Sequence, residues 1–420
     1  MRLNVGNLTI RNLIISYILL YSIMPIVSRL TSSYLTTFFY MGLVVILVVL
    51  ILALDRPENL NEYFTFLLPL FLYELLTFFS VSGNRIFWLY RVLLVMLPVI
   101  LGYYFTQDLS RIKNSYSRII IIAIIITMIS TIIGCIQNPS AARILATVNS
   151  SDTQSYQYDM ANIGGYNFIY IIVLLYPIAI LAYKTRRIRL FPAIIIALLV
   201  LLTIVSSEYT TALLLFIISS FLFFTKRTLS AKGIIIISVF AILFLFVFSS
   251  YIVDFLHWLG EVVGSDDIAR RLNALAGGAA GLEQSEDNRL ELYRYSIENF
   301  LKSPFFGTLF NEWRSSGGHS FILDSLSYFG LLGGSLLFFV YKRVFMRFFY
   351  PFKDKPGYGY IVWTFIQVII LSIVNTGIWL DVLCLFVPLL LYWIYGTETK
   401  TEEVNNEDTV DSELASGSAG

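Results

Sequence analysis

The chain is short of the residues that most soluble enzymes use for solubility and for chemistry. Only 14% of its 420 residues are charged, against about 25% in an average soluble domain. It has two cysteines, Cys135 and Cys384, which form no CxxC or His–Cys cluster, so neither a disulfide framework nor a thiolate metal site is predicted. The net charge of +1 gives no reason to expect nucleic acid as a partner.

Long apolar runs take the place of the missing charge. The composition is 57% hydrophobic, and runs of about 17 or more residues, each able to cross the hydrocarbon core of a bilayer, recur along the chain. This pattern predicts an all-α polytopic membrane protein, and the first run is expected to be a retained span rather than a cleaved signal peptide. We place twelve spans near 13–28, 34–54, 63–81, 87–105, 119–136, 166–183, 190–206, 209–224, 233–252, 320–341, 359–376 and 379–395.

The distribution of lysine and arginine predicts the orientation of these spans. With the N-terminus inside, the inner side collects 19 of the 29 basic residues, as the positive-inside rule requires. Both termini are therefore expected to be cytoplasmic. The resulting divisions are 1–252 with spans one to nine, 253–318 as an extracytoplasmic subdomain, 319–395 with spans ten to twelve, and an acidic, disordered tail at 396–420.

Two outer segments are longer than simple turns. The first, 137–165, is rich in Asn, Ser, Thr and Asp. The second, 254–318, is the large loop between spans nine and ten and is predicted to contain three short helices, at 252–263, at 266–276 and from position 289 onwards. Apolar residues at helical spacing in the third helix predict that it packs its apolar side down, with Arg289, Ser296 and Glu298 away from the centre of that stripe. The stripe consists of Leu290, Tyr293, Ile297, Phe300 and Leu301.

The end of this loop is the most informative position in the sequence. His319, one of only two histidines, lies where the polar loop meets the apolar tenth span. Arg289 lies in the first turn of the third loop helix, where the helix dipole disfavours a cation. Two interpretations of this arginine remain open: a solvated surface residue, or a guanidinium that binds phosphate oxygens in bidentate fashion.

Four sequence elements of this region resemble motifs of the polysaccharide polymerase and O-antigen ligase superfamily. They are R-x-x-x-Y/W, S-P-x-x-G, G-H-S-x-x-L and G-x-x-G. In this chain they are Arg289 to Tyr293, Ser303-Pro304-Phe305-Phe306-Gly307, His319 to Leu323, and Gly330-Leu331-Leu332-Gly333. The family usually has Asn after the histidine, where this chain has Ser320. About twelve spans with a large outer loop just before the histidine complete the resemblance.

The resemblance implies a metal-independent glycosyltransferase on the outer face of the bacterial inner membrane. Its substrates would be undecaprenyl-diphosphate-linked oligosaccharide and polysaccharide, in contact with membrane lipid, and a chain-length regulator protein is a further partner that the resemblance allows. Polymerases of the family transfer the growing O-antigen, capsule or exopolysaccharide chain onto a new lipid-linked repeat unit. Ligases transfer the finished chain to lipid A-core, and the loop motif does not separate these two activities.

The family relationship assigns roles to individual residues. His319 and Arg289 correspond to the family's loop-end histidine and loop arginine, with the histidine as acceptor or donor of a proton near neutral pH. Where the family often has an arginine in a turn between two middle spans, this chain reads Ser206-Ser207-Glu208-Tyr209-Thr210. Glu208 therefore either has an acceptor-side role or is simply exposed.

Other arginines could supply the missing cation for the diphosphate. Arg85 and Arg91 lie at the outer start of the fourth span, and Arg314 lies five residues before His319. A structural ion pair of Arg91 with Glu74 is the alternative interpretation of that span. Asp324, five residues after His319, could orient the active-site region.

No cofactor is expected, and metal dependence is disfavoured. The two histidines are 62 residues apart and no DxD-type acidic cluster is present. The rival function from another class is a lipid-linked oligosaccharide flippase. The lack of an inverted repeat and the size of the outer loop argue against such a transporter. Asp381, in the last outer turn, is expected to be only a boundary residue.

Overall fold

The computed structural model describes residues 5–34, 42, 45–46, 60–80, 85–106, 110–139, 141–147, 153–224, 233, 254, 258, 289–310 and 316–396. Within these residues every regular element is helical, as the apolar runs predict. The α-helices are α1 Val5–Ile23, α2 Pro25–Tyr34, α3 Leu60–Ser80, α4 Arg85–Thr106, α5 Ser110–Gln137, α6 Ala141–Thr147, α7 Thr153–Met160, α8 Tyr166–Lys184, α9 Leu190–Ser207, α10 Thr210–Phe221, α11 Arg289–Lys302, α12 Phe321–Val344, α13 Tyr358–Val374 and α14 Val387–Tyr395.

Four of the described helices are long and apolar enough to cross a membrane: α5, α8, α9 and α12 with its continuation to Phe352. The number is five if the bent pair α1 and α2 forms one span, and five further apolar helices have 10 to 17 residues. These apolar helices are compatible with a membrane location, but their number does not establish twelve spans. Nearly all of the predicted spans 34–54 and 233–252 and of the loop 253–288, together with the tail beyond Gly396, lie outside the described residues.

Helix α8 lies at the centre of the described bundle. Of the residues of α8 that could cross a membrane, 78% are buried inside the protein, compared with 28% in α9. Helix α8 is the more buried because it packs against α9, α10 and α13. Where α13 meets α10, Trp363 donates its indole N–H to Ser219 at 3.1 Å, and the amide of Gln367 donates to the same hydroxyl at 2.7 Å. These bonds satisfy polar groups that would be costly to leave unpaired in an apolar interior.

The first predicted span is broken rather than continuous. Helices α1 and α2 meet at Met24 with a bend of 112° between residues 11–23 and 25–31. Pro25 explains the break, because proline restricts the residue before it and lacks the N–H that would continue α1. The side-chain oxygen of Asn162 accepts a hydrogen bond from the Ile26 N–H at 3.3 Å and so satisfies one of the free N–H groups at the start of α2.

A second break, in α12, receives the turn that follows α11. Gly330 has φ +59° and ψ −150°, a conformation that only glycine adopts readily. At this break the N–H of Leu331 donates to the carbonyl of Pro304 at 2.7 Å rather than to α12 itself. The Thr308 N–H donates to the carbonyl of Ser327 at 2.9 Å. The turn 303–309 is thus hydrogen-bonded to the backbone of α12 at its break. The S-P-x-x-G motif forms this turn and the G-x-x-G motif begins at the break, so the two motifs form one contact.

Replacing Gly330 by alanine is expected to destabilise the protein by about 2 kcal/mol or more. A Cβ at this position would lie 2.5 Å from the backbone carbon of Phe305, and the left-handed φ would be strained as well. Thermal unfolding of the detergent-solubilised protein measures the loss. Gly318→Ala is the matched control, because Gly318 has φ +75° but no atom within 4 Å of a built Cβ. Equal losses in the two variants would show that the close approach of the turn to α12 does not matter.

Candidate functional site

The buried carboxylate of Asp324 organises the loop that carries His319. Its Oδ1 accepts from the Ser296 hydroxyl at 2.7 Å and from the Gly318 N–H at 3.2 Å, and its Oδ2 accepts from the Ser320 N–H at 3.0 Å. The Ser296 hydroxyl in turn accepts from the Gly317 N–H at 2.8 Å. Asp324 is only 9% exposed, and these bonds compensate for the burial of its charge. The geometry is that of an orienting carboxylate.

Ser320 begins α12 as its N-cap. Its hydroxyl accepts from the Leu323 N–H at 3.0 Å, while its own N–H is bound by Asp324 one turn into the helix. The two side chains therefore satisfy the backbone donors of Leu323 and Ser320 at the start of the helix, and a carboxylate in the first turn also interacts favourably with the helix dipole. Serine and asparagine are both strong N-cap residues. The departure from the family's usual asparagine is therefore compatible with the same helix start.

Helix α11 lies directly against this loop. A side chain at Gly317 would overlap the Leu292 carbonyl, so the loop backbone touches the second turn of α11. Tyr293 donates its hydroxyl to the carbonyl of Val374 at 2.9 Å, which ties the same part of α11 to the end of α13. Position 289 opens α11 and shares a helical face with positions 293 and 296 by the spacing of four and seven residues. The side chain of Arg289 lies outside the described residues.

The predicted packing of α11 differs in part from the structure. Tyr293 and Phe300 of the apolar stripe are half-buried, but Ile297 and Leu301 are 43% and 67% exposed. The most buried side chains of α11 are those of Ser296 and Asn299, which are 1% and 9% exposed. Ser296 binds the loop before α12, so part of the apolar stripe is left on the surface.

His319 lies between Gly318, which has a left-handed φ, and the N-cap Ser320. Its side chain is half-buried, and none of the hydrogen bonds among the described side chains involves its ring. The loop is therefore held through its backbone, on both sides of the histidine, and not through a described hydrogen bond of the imidazole. Only a glycine at position 318 allows this path without backbone strain.

Glu208 is buried rather than exposed. It ends α9 with φ +60° and is 3% exposed. Its neighbour Tyr209 donates to the carbonyl of Ala142 at 3.0 Å and packs its ring on Tyr166 with 5.9 Å between centroids. Through Tyr209, the turn that contains Glu208 contacts the segment 137–165.

Three further arginines were predicted to bind the diphosphate. Arg85 and Arg91 lie in α4, with side chains outside the described residues. Arg314 lies in the segment 311–315, which is also outside the described residues. Glu74 is 1% exposed, and its carboxylate accepts from the Thr77 hydroxyl at 3.2 Å. Within the described part of the chain no group of three His, Cys, Asp or Glu side chains could hold a metal ion.

A cavity of about 800 Å³ that was not predicted lies elsewhere in the described bundle. It lies between the α1–α2 break, the middle of α4, α7, the start of α8 and the segment 375–381, which we name the connector because it joins α13 to α14. Its lining is mainly apolar, and its polar and aromatic side chains include Arg29, Asp159, Tyr166, Asn167, Trp379 and Asp381. The sequence signal that pointed to it was Asp381, the single carboxylate between positions 358 and 395, two residues after a tryptophan. From the sequence, Asp381 is expected only to mark the boundary of a span in the last outer turn.

Replacing Asp324 by asparagine is expected to loosen the His319 loop. Asparagine offers one acceptor oxygen in place of two, so at least one of the three hydrogen bonds to the carboxylate is lost, at a cost of about 1–3 kcal/mol. Hydrogen-exchange mass spectrometry should then show faster exchange of the Gly318 and Ser320 amides. Asp354→Asn, at an exposed position, should leave both amides unchanged. Unchanged exchange in Asp324→Asn would contradict the positioning role of this carboxylate.

Comparison with known proteins assigns no family to the chain. No family model matches it, and no curated protein matches it. The resemblance to polysaccharide polymerases and ligases therefore rests on the four motifs and the predicted topology, and the function has to be argued from the geometry of the loop before α12.

Proposed function

We propose that this protein is a polysaccharide polymerase of the bacterial inner membrane. It would transfer a growing O-antigen, capsule or exopolysaccharide chain from undecaprenyl diphosphate to a new lipid-linked repeat unit. The observation that carries the proposal is the contact between the loop bearing His319 and the helix that begins at Arg289. The two residues for which the motifs suggest chemistry are thereby held on one scaffold, through Ser296 and Asp324.

The chemistry of such a transfer fits these residue types. A diphosphate leaves as a stabilised anion and needs a cation to bind it, and a guanidinium matches its oxygens in bidentate fashion. The attacking sugar hydroxyl needs a group that accepts its proton, which a neutral imidazole can do near pH 7. His319 would act as this base, Arg289 would bind the diphosphate with Arg85, Arg91 or Arg314, and Asp324 would position the loop.

The proposed topology has twelve spans, both termini in the cytoplasm and the site on the outer face. Its support is the excess of basic residues in the inner loops and the presence of several helices that could span a membrane. In this arrangement the loop before α12 faces the side on which lipid-linked repeat units are joined.

Polymerase is favoured over ligase by the turn between α9 and α10. The family's arginine at this turn is replaced by Glu208, which is buried against its surroundings at 3% exposure. A diphosphate-binding cation is therefore not supplied by this position. This departure from the family pattern, together with the aromatic-rich spans, favours a polymerase over a ligase.

Alanine at position 319 or 289 is expected to abolish polymerisation. Loss of a general base alone lowers a rate by about 10²–10⁴-fold. The measurement is the glycan ladder of a strain that lacks the native protein and carries each variant. We expect one repeat unit on the final acceptor in place of the ladder. Arg294→Ala is the matched control in the same helix, because Arg294 is 79% exposed and only pairs with Glu298; its ladder should be normal.

The pattern of glycans separates the proposal from its rivals. A bare final acceptor with persistent lipid-linked polymer identifies a ligase instead. Lipid-linked repeat units that accumulate on the cytoplasmic face identify a flippase. Normal ladders in both His319→Ala and Arg289→Ala would refute the assigned site.

A further inference from the structure

A second cavity lies between α5, α8, α9 and α14, and none of its lining residues belongs to the loop before α12. Its volume is about 250 Å³ and its lining is almost wholly apolar. Protein interiors are packed about as densely as organic crystals, so an unfilled space of this size between helices is unusual. An apolar cavity offers no polar partners to water and binds apolar molecules instead. Its occupant should therefore be hydrocarbon.

The length of the cavity matches one leaflet of a membrane. It runs along α8 from Ile172 to Ala182 and reaches Ile188 in the turn that follows this helix. At about 1.5 Å per residue, positions 172 and 182 are about 15 Å apart along the helix. This is about half of the hydrocarbon core of a bilayer, which is roughly 30 Å thick. The cavity thus fits one hydrocarbon chain that enters beside the turn.

The helices around the cavity carry apolar side chains on their outer surface as well. On α5, Ile122 and Ile126 are exposed, and each directly follows a residue that lines the cavity, Ile121 and Ile125. Helices α5, α8 and α9 are all long and apolar enough to cross a membrane. In a bilayer, lipid chains would cover the exposed faces of these helices and so lie next to the cavity.

The turn between α8 and α9, at one end of the cavity, places an arginine in a strained position. The Arg187 N–H donates to the carbonyl of Ala182 at 2.8 Å, and the Arg186 N–H donates to the carbonyl of Tyr183 at 2.9 Å. These two hydrogen bonds form a Schellman motif, whose left-handed position is usually a glycine. Arg186 occupies that position with φ +62°. The chain therefore carries a positive charge here where a glycine would relieve the strain.

Three guanidinium groups of this turn have no carboxylate partner among the described residues. They belong to Arg186, Arg187 and Arg189, and the ion pairs of the described side chains involve other residues. Arg187 is half-buried, with its guanidinium over the ring of Trp393 at 5.1 Å. Trp393 itself lines the cavity, so this charge lies at the cavity's edge. Uncompensated arginines beside an apolar cavity suit a ligand with an anionic head and a hydrocarbon chain.

We infer that the cavity and the turn 185–189 form a binding site for an anionic phospholipid. One acyl chain would lie between α5, α8, α9 and α14, and the phosphate would bind the guanidinium groups of Arg186 and Arg187. Basic pockets between membrane helices are typical sites for anionic lipid head groups. A zwitterionic lipid fits less well, because the arginines repel its ammonium group. The inference requires a membrane location but not the proposed polymerase activity.

Native mass spectrometry of the purified full-length protein in detergent measures lipid binding. Dioleoyl-phosphatidylglycerol and dioleoyl-phosphatidylethanolamine differ only in their head groups, and we expect the first to bind more tightly. Its dissociation constant should rise about fivefold in Arg187→Gln and in Arg186→Gly, the effect of one lost cation near an anionic lipid. Arg343→Gln is the matched control, because Arg343 is also a half-buried arginine at a helix end but lies outside the cavity; it should not change the affinity.

The part played by the cavity is tested separately from the charge. Ala179 lines the cavity, so Ala179→Leu should fill it and weaken phosphatidylglycerol binding at least as much as Arg187→Gln. Arg186→Gly keeps the test decisive if another variant does not fold, because glycine relieves the left-handed strain.

Four results would each overturn the inference. They are equal affinity for the two lipids, equal losses in Arg343→Gln and Arg187→Gln, unchanged binding in Ala179→Leu, and displacement of the lipid by glycerol phosphate alone. The last result would identify a phosphate site that does not use the cavity. Lipid binding should persist in His319→Ala, whatever the glycan ladder of that variant shows.

Discussion

The carboxylate of Asp324 is the interaction on which the geometry of the candidate site depends. A loop that enters an apolar helix must bind its backbone N–H groups, because an apolar environment offers no water to replace them. Asp324 meets this need from inside the helix, binding the N–H groups of Gly318 and Ser320 on either side of His319. It also receives the hydroxyl of Ser296 and so orients α11. One buried charge thereby fixes the histidine loop, the start of α12 and the rotation of α11.

Helix α11 and the turn that follows it are attached to α12 by different means. In the middle of α11 the contact is through Ser296 and Asp324, and after its end the turn 303–309 donates to and accepts from the backbone of α12 at the Gly330 break. Such double attachment gives α11 a defined position. This is why its apolar residues Ile297 and Leu301 can remain on the surface. The motifs at 303–307 and 330–333 are thus structural, whereas His319 is left without a described hydrogen-bond partner for its ring.

Much of the helical architecture could be predicted, because long apolar runs have few structural alternatives. Pro304 and Gly307 predicted the C-terminal end of α11, which the structure places at Lys302. The rotation of α11 could not be predicted, since hydrophobic periodicity identifies an apolar face but not whether protein or surroundings cover it. The burial of Glu208 also escaped prediction, because the spacing of apolar residues does not show which helices pack over a turn.

The sequence by itself determined that this is a helical chain with apolar helices, and its motifs indicated one loop, before α12, as the candidate site. These properties follow from composition and local spacing, which act within a few residues. The tertiary structure alone decided that Ser296 meets Asp324 and that Trp379 and Asp381 line a cavity with Arg29 and Asp159. These neighbours are up to hundreds of residues apart in the chain. Only the packing of complete helices brings them together, because hydrogen bonds and ring contacts between them require separations of a few ångströms.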